Sequence, residues 1–166
     1  MTDDEKDEFF PYILDNIGFL LGKTDQLKDR LLDQYLASPE MIEELTATQA
    51  KVLFQIKKFE NYRPSDIGKM LNVDKSSITR MIDRLEKKGL IKRLPDPDDR
   101  RSFLLDLTEK GRLTVEHGMP LAMNALDELE QALTVEEKQQ LRHCLRKIVM
   151  SSIDDVCLQQ LKRGTK

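Results

Sequence analysis

The chain is poor in several residues on which whole classes of protein depend. It has no tryptophan, two cysteines and seven glycines among 166 residues. Two cysteines are too few for a disulfide framework, and the sequence contains no glycine-rich phosphate loop, nucleophile elbow or paired His/Glu metal motif. No apolar run approaches the ~18 residues that a membrane span requires. The amino terminus is acidic, unlike a secretory signal, so we expect a cytoplasmic protein that is not an enzyme.

Charge is distributed unevenly along the chain. Between Arg63 and Arg101, eleven Lys or Arg stand against seven Asp or Glu, a net charge of +4, whereas the remainder carries 16 basic and 23 acidic residues, a net of −7. A basic middle between acidic ends is expected when one face of a protein contacts phosphate. The overall charge of −3 therefore does not exclude a nucleic acid partner.

Apolar residues at helical spacing predict helices over the first part of the chain. Phe10 to Leu36 is typical of one long amphipathic helix, which Pro39 prevents from continuing. A capping box, Thr46 to Gln49, begins the next helix. Pro64 suits the first position of a short helix that ends at Leu71.

The middle of the chain changes from helix to strand. Asp74 is suited to cap a helix that runs to Lys88, with Gly89 as the residue that stops it. Residues 90–94 and 102–107 are predicted strands, since apolar residues alternate in the second. The polar, proline-rich residues 95–101 between them predict an exposed loop. Two strands joined by a polar loop directly after a helix-turn-helix predict a winged helix.

Two further helices are predicted at the carboxyl end. Thr108 caps a stretch from Glu109 to Leu133. Within that stretch Pro120 removes a backbone donor, so we expect a kink or a break there. A capping box from Thr134 to Glu137 begins the last helix.

These elements predict a mainly α fold with a small β-hairpin wing. The terminal helices carry more apolar surface than one small lobe can cover, which is typical of a partner surface, and a second copy with two-fold symmetry is the simplest partner. We expect dimerisation helices over residues 1–37 and 109–166, and a winged helix-turn-helix lobe over residues 46–108. Within that lobe the helix-turn-helix spans about 65–88 and the wing about 90–107.

The second helix of the helix-turn-helix carries a polar face opposite its apolar one. Small hydroxyls near its amino end allow close approach to base edges in the major groove, and that end favours phosphate. Arg80 suits a guanine edge or a phosphate, and Arg84 and Lys88 suit phosphates. The candidate DNA-binding residues of this helix are Lys75, Ser76, Ser77, Thr79, Arg80, Arg84 and Lys87. A solvated helix face is the alternative interpretation.

The loop between the two strands supplies a second set of candidates, Asp99, Arg100 and Arg101. An arginine at the tip of a hairpin can enter the minor groove, where narrow A·T-rich segments concentrate negative potential. Asp99 lies two residues from Arg101 and is placed to hold it through an ion pair. An ordinary charged turn is the alternative, because this spacing is unspecific.

Four blocks of the sequence share their order and spacing with a known family. They are residues 65–71 (SDIGKML), 74–90 (DKSSITRMIDRLEKKGL), 98–101 (DDRR) and 107–111 (LTEKG). Together they resemble the MarR family of transcriptional regulators, and the flanking helices extend the resemblance over nearly the whole chain. One departure is Arg63, which stands where many members place a hydroxyl cap.

The resemblance implies an obligate homodimer that binds double-stranded DNA at a pseudo-palindromic operator, most often as a repressor. It places Ser76, Ser77, Thr79 and Arg80 at the major groove and Asp99 and Arg101 at the wing tip. The alternative function is a winged-helix protein-interaction module without DNA binding. Such a module has no need of a basic recognition helix and wing.

Members of this family respond to small aromatic or phenolic ligands, to metals or to oxidants. His117 and His143 lie far apart and lack the spacing of a zinc site, and no cysteine precedes Cys144, whereas peroxide-sensing members use one in the first helix. Cys144 and Cys157 lie about 20 Å apart if their helix is unbroken. Each is expected to be buried, with a link between subunits as the alternative. A small organic effector in a cleft beside the lobe, or none, is expected, with no metal and no cofactor.

Overall fold

The computed structural model describes residues 14–59 and 63–152. Within these ranges the chain forms six helices and one antiparallel pair of strands. The elements are α1 (Ile17–Leu36), α2 (Ala47–Lys58), α3 (Pro64–Leu71), α4 (Lys75–Lys87), β1 (Ile91–Pro95), β2 (Phe103–Leu107), α5 (Glu109–Leu129) and α6 (Val135–Ser152). The mainly α fold with a hairpin wing is confirmed. None of the described helices is long and apolar enough to cross a membrane.

The first helix begins later than its apolar pattern predicts. The Asn16 side chain accepts a hydrogen bond from the backbone N–H of Phe19 at 3.0 Å, so α1 begins at Ile17. An asparagine that satisfies a free donor of the first turn starts a new helix. The prediction of one helix from Phe10 to Leu36 is therefore wrong at its amino end, and residues 10–13 lie outside the described ranges.

Pro120 does not break α5, which runs without interruption from Glu109 to Leu129. Of the two predicted outcomes, the break is wrong, whereas the kink stays a prediction, and the helix ends before Leu133. The nearby Gly118 is buried, and a Cβ added to it would lie 3.6 Å from the Leu36 side chain of α1. Extensive packing of α1 on α5 supports a continuous helix, although proline removes one of its backbone hydrogen bonds.

Other helix boundaries follow the local signals in the sequence. Thr46 and Gln49 form the predicted capping box of α2. Beyond α4, Gly89 adopts a φ of 69°, and the N–H of Leu90 donates to the carbonyl of Leu85 at 3.0 Å. This left-handed glycine closes the helix, because it lets the chain satisfy carbonyls left free by the last turn.

The core joins α1, α2 and α5 to the helix-turn-helix and the strands. Its largest fully buried side chains are Leu36, Leu53, Ile67, Ile78, Ile82, Leu85, Leu90, Leu105 and Leu107. The strands pair from Ile91 opposite Leu107 to Pro95 opposite Phe103, so each begins one residue later than predicted. We call β1, β2 and residues 96–102 between them the wing.

By contrast, α6 packs sparsely against the rest of the described chain. None of its described side chains is buried, and Leu141 and Ile148 are 43% and 48% exposed. Cys144 is also exposed, so the prediction of a buried side chain is wrong for the single chain, because no described element covers this helix. Cys157 lies outside the described ranges.

Candidate nucleic-acid interface

The amino end of α4 is fixed by hydrogen bonds to Asp74. Its Oδ1 accepts from the backbone N–H of Ser76 at 3.0 Å and of Ser77 at 2.9 Å, and from the Ser76 hydroxyl at 2.6 Å. These bonds, first of all that from the Ser76 side chain, hold the pKa of Asp74 far below its usual value, because they favour the carboxylate. Asp74 thus occupies the helix-end donors that the sequence analysis assigned to phosphate.

The hydroxyl groups on this face also make bonds within the helix. Ser76 Oγ accepts from Arg80 Nη2 at 3.4 Å, and Thr79 Oγ1 donates to the Lys75 carbonyl at 2.8 Å. Ser76, Thr79 and Arg80 are exposed, whereas Ser77 is half-buried. A continuous chain from Asp74 through Ser76 therefore orients Arg80 along the outer face of α4.

Three cations of α4 are available to bind an external anion. Lys75, Arg84 and Lys87 are exposed and form no ion pair with another described residue. Lys88 behaves differently, since it is half-buried and its Nζ lies 3.3 Å from Glu43. The prediction that Lys88 contacts phosphate is wrong for this structure, because its ammonium joins the end of α4 to the segment before α2.

The wing is attached to α4 through Arg93 of β1. Its guanidinium forms an ion pair with Asp83 and lies 3.2 Å from Glu86, both on α4. The same guanidinium lies 4.6 Å from the centre of the Phe103 ring of β2, within the range of a cation–π interaction. Sequence analysis missed this residue, because β1 and α4 meet only in the tertiary structure.

The tip of the wing is closed by backbone hydrogen bonds. Asp99 Oδ1 accepts from the backbone N–H of Arg101 at 2.9 Å, and the Asp99 carbonyl accepts from the N–H of Ser102 at 2.9 Å. Nowhere in the described ranges does a side-chain ion pair join Asp99 to Arg101, so that hypothesis is wrong. Arg100 and Arg101 are exposed, and neither is paired to a described carboxylate.

One residue of the predicted exposed loop, residues 95–101, is buried, whereas the others are exposed as predicted. The Asp96 side chain is 1% exposed. Its Oδ2 accepts from Arg63 Nε at 2.6 Å and its Oδ1 accepts from Arg63 Nη2 at 3.2 Å. The pKa of Asp96 is lowered, chiefly because its carboxylate accepts hydrogen bonds from the Arg63 guanidinium. The sequence offered one signal for this pair, an arginine at a position suited to a capping hydroxyl.

A cleft of about 430 Å³ lies between the end of α1 and the start of α2. Its lining residues are Asp33, Ala37, Glu44, Leu45, Thr46, Gln49 and Lys88. Lys88, the residue at the carboxyl end of α4, lies in the wall of the cleft, so the cleft borders α4. No three His, Cys, Asp or Glu side chains within residues 14–59 and 63–152 are grouped to hold a metal ion.

Comparison with known proteins relates this arrangement to one family. Residues 45–103 match the model of the MarR family. The multiple antibiotic resistance protein MarR of Salmonella typhimurium is 40% identical over 135 residues, which cover 80% of this chain and 90% of that protein. The HTH-type transcriptional repressor MdtR of Bacillus subtilis is 34% identical over 131 residues, which cover 76% of this chain and 84% of that protein.

Solved structures of MarR-family proteins are also similar to this chain. A mutant of Escherichia coli MarR complexed with operator DNA has a TM-score of 0.72 and 37% identity, covering 80% of this chain and 93% of that one. Bordetella bronchiseptica BpsR has a TM-score of 0.70 and 28% identity, covering 80% and 97%. The BpsR structure concerns the regulation of its DNA binding by 6-hydroxynicotinic acid.

Proposed function

Since the chain belongs to the MarR family, we propose that it is a sequence-specific, double-stranded-DNA-binding transcriptional repressor that acts as a homodimer. One observation carries the proposal: the exposed cations of α4 and the exposed arginines of the wing tip belong to elements that Arg93 ties together. A rigid unit with two cationic edges suits neighbouring grooves of one duplex. The proposed role includes no catalytic step. We propose that the protein acts in the cytoplasm, where the DNA is.

In this proposal α4 is the recognition helix in the major groove. The hydroxyls of Ser76, Ser77 and Thr79 lie near its amino end, where they contact base edges. Arg80, oriented by Ser76, reaches a guanine edge with two hydrogen bonds. Lys75, Arg84 and Lys87 bind backbone phosphates, which position the protein without specifying sequence.

The wing takes the adjacent minor groove. Arg101 enters the groove, Arg100 binds a flanking phosphate, and Asp99 holds the turn through the N–H of Arg101. A narrow A·T-rich minor groove attracts such an arginine because its negative potential is enhanced. The expected operator therefore carries A·T-rich flanks outside each major-groove half-site.

The homodimer proposal rests on the terminal helices. Residues 1–37 and 109–166 are the proposed dimerisation regions, around the lobe of residues 46–108. Exposed apolar side chains on α1 and α6 in the single chain (Ile17, Leu20, Leu141 and Ile148) support this assignment. Two-fold symmetry of the protein requires a pseudo-palindromic operator, with half-site centres about one helical turn apart.

A small aromatic or phenolic effector is proposed to release the DNA. The Bordetella relative is regulated by 6-hydroxynicotinic acid, which belongs to this chemical class, and the cleft of about 430 Å³ is within the usual size of a small-molecule site. Release of bound DNA by hydroxylated aromatic acids, followed by fluorescence anisotropy, tests this point. A panel that leaves the complex intact argues against an effector of this class.

The experiment that tests the whole proposal is selection from random double-stranded DNA by the purified protein. We expect an enriched inverted repeat with half-site centres about one helical turn apart. Enrichment of a single half-site would contradict the symmetric dimer. No enrichment at low salt, by native and by refolded protein that has lost any bound ligand, would favour the protein-interaction module instead.

A further inference from the structure

A buried carboxylate joins the first helix of the helix-turn-helix to the start of the loop between the two strands of the wing. Arg63 is the N-cap residue of α3, and Asp96 directly follows β1. Two hydrogen bonds, at 2.6 Å and 3.2 Å, form a fork between the guanidinium and the carboxylate. A bidentate pair of this kind fixes orientation as well as distance.

The local structure shows that Arg63 does not serve its own helix. Its side chain makes no capping hydrogen bond to α3, whereas a hydroxyl or carboxamide at the N-cap satisfies a free N–H of the first turn. A carboxylate as buried as Asp96 requires a partner, because an unpaired buried charge is strongly unfavourable. The Arg63–Asp96 pair therefore serves the contact between α3 and the wing and not the capping of α3.

The same carboxylate also organises the chain that leads to the wing tip. Asp96 Oδ1 accepts from the backbone N–H of Asp98 at 3.0 Å. Asp99 then accepts from the N–H of Arg101. Two side-chain-to-backbone hydrogen bonds therefore restrain the backbone between the buried Asp96 and the exposed Arg101.

We infer that Arg63 and Asp96 are positioning residues that hold the wing at a fixed angle to the helix-turn-helix, so that Arg101 meets the minor groove while α4 occupies the major groove. This inference rests on the proposed function. The buried Leu105 and Leu107 hold β2 in the core, and Arg93 joins the middle of β1 to α4. The Arg63–Asp96 pair adds an attachment to α3 where β1 ends and the loop to the wing tip begins.

A competing role for Arg63 is direct contact with a phosphate, since its side chain is 40% exposed. The two roles predict opposite effects at Asp96. A phosphate-binding Arg63 gains freedom when Asp96 is removed, so DNA affinity holds or rises. A positioning pair loses function when either member is removed.

The test measures binding of Arg63→Ala, Asp96→Ala and the double variant to the DNA that the unmodified protein selects. We expect each single change to weaken specific binding about tenfold, with the double variant within about threefold of the weaker single one, because both remove the same contact. The log–log salt slope should fall by the same amount in both single variants, because each displaces the wing-tip cations from the DNA.

Footprinting supplies a readout that a loss of stability would not mimic. Hydroxyl-radical protection of the minor-groove flanks should weaken in both single variants, while protection of major-groove guanines from dimethyl sulfate persists. Lys51→Ala is the matched control, because it removes an ion pair of 2.5 Å between α2 and α1, away from the wing. Arg63→Lys and Asp96→Asn, as milder changes, keep the test valid if an alanine variant unfolds.

Three results would overturn the inference. They are unchanged affinity in both single variants, additive losses in the double variant, or a salt slope reduced by about one in Arg63→Ala together with undiminished binding by Asp96→Ala. Each of these leaves the proposed function intact. If the unmodified protein enriches no DNA, the proposed function itself fails, and this inference with it.

Discussion

At the scale of single residues, the arginines of this chain fall into two groups. Arg63 and Arg93 are paired with carboxylates that connect elements of the lobe. Arg84 and Arg101 are exposed, and no described carboxylate neutralises them. A paired guanidinium stabilises a tertiary contact, whereas an exposed, unpaired one can replace the counterions of a phosphate. Counting basic residues alone does not make this distinction.

Arg101→Ala is expected to weaken binding to the selected DNA at least tenfold, about 1.4 kcal/mol or more. The reason is loss of the minor-groove contact and of one cation at the wing tip. Titration by fluorescence anisotropy measures the affinity, and the salt slope should fall by about one. Lys51→Ala serves again as control. Unchanged affinity would remove the wing from the interface.

Asp74→Asn is expected to alter how stability depends on pH. The pKa of Asp74 is lowered in the folded protein, so its stabilising effect is complete above the unfolded value of about 4 and is lost as pH falls toward the folded value. Asparagine also caps helices well but does not titrate. Urea midpoints should therefore differ between variant and parent at pH 7 and converge in acid. A difference independent of pH would contradict this.

At the scale of elements, packing decides boundaries that local preferences leave open. α5 continues through Pro120 because α1 lies along it. At the amino end of α5, Gly111 lies so near the wing that an added Cβ would be 1.9 Å from the Leu90 carbonyl oxygen. The close approach of α5 to the start of the wing requires glycine there, although its backbone is an ordinary helix.

Gly111→Ala is expected to destabilise the fold by about 2 kcal/mol or more, because backbone on both sides must move apart. Gly22→Ala is the matched control, since a Cβ there meets nothing within 4 Å of the single chain. In a helix interior that change stabilises by roughly 0.5–1 kcal/mol. Urea denaturation followed by circular dichroism measures both. Equal stability of the two variants would contradict the close approach at Leu90.

At the scale of the whole molecule, the described chain has one covered region and one uncovered region. The lobe buries its apolar side chains, whereas α6 buries none of those described and exposes Leu141 and Ile148. Exposed apolar side chains along a whole helix are typical of an oligomer interface. The described part of α6 therefore offers an apolar surface to a partner.

The protein is expected to sediment as a dimer at micromolar concentration, because α1 and α6 expose apolar side chains that a second copy with two-fold symmetry can cover. Ile148→Asp should shift the equilibrium toward monomer, since it places a charge in an apolar interface. Gln139→Asp, which adds the same single negative charge at an exposed position on the opposite side of α6, is the control. Analytical ultracentrifugation distinguishes the states, and a well-folded monomer of the unmodified chain would overturn the architecture.

Affinity for the selected DNA is expected to fall steeply with salt. Each lobe carries several unpaired cations on α4 and the wing, and a dimer doubles them, so many counterions are released on binding. The slope of a log–log plot of affinity against potassium chloride concentration measures this number. A flat plot would leave the DNA-binding proposal without its electrostatic basis.

Elements with local causes can be placed from the amino-acid sequence alone. The caps Thr46, Asp74 and Thr134, the left-handed Gly89 and the alternation of β2 place the starts of three helices, the end of α4 and the second strand within about a residue of their observed positions. These signals depend on hydrogen bonds and dihedral angles that span at most a few residues. The basic face of α4 follows directly from the same helical period.

Which charges are available to a ligand, and which are paired within the protein, depends on contacts between residues distant in the chain. Asp96 and Lys88 looked exposed in the sequence, yet Arg63 and Glu43, 33 and 45 positions away, occupy them. The continuity of α5 through Pro120 depended likewise on α1, distant in the chain. An ion pair or a packed helix depends on distance in space, and no local pattern records which distant residue arrives there.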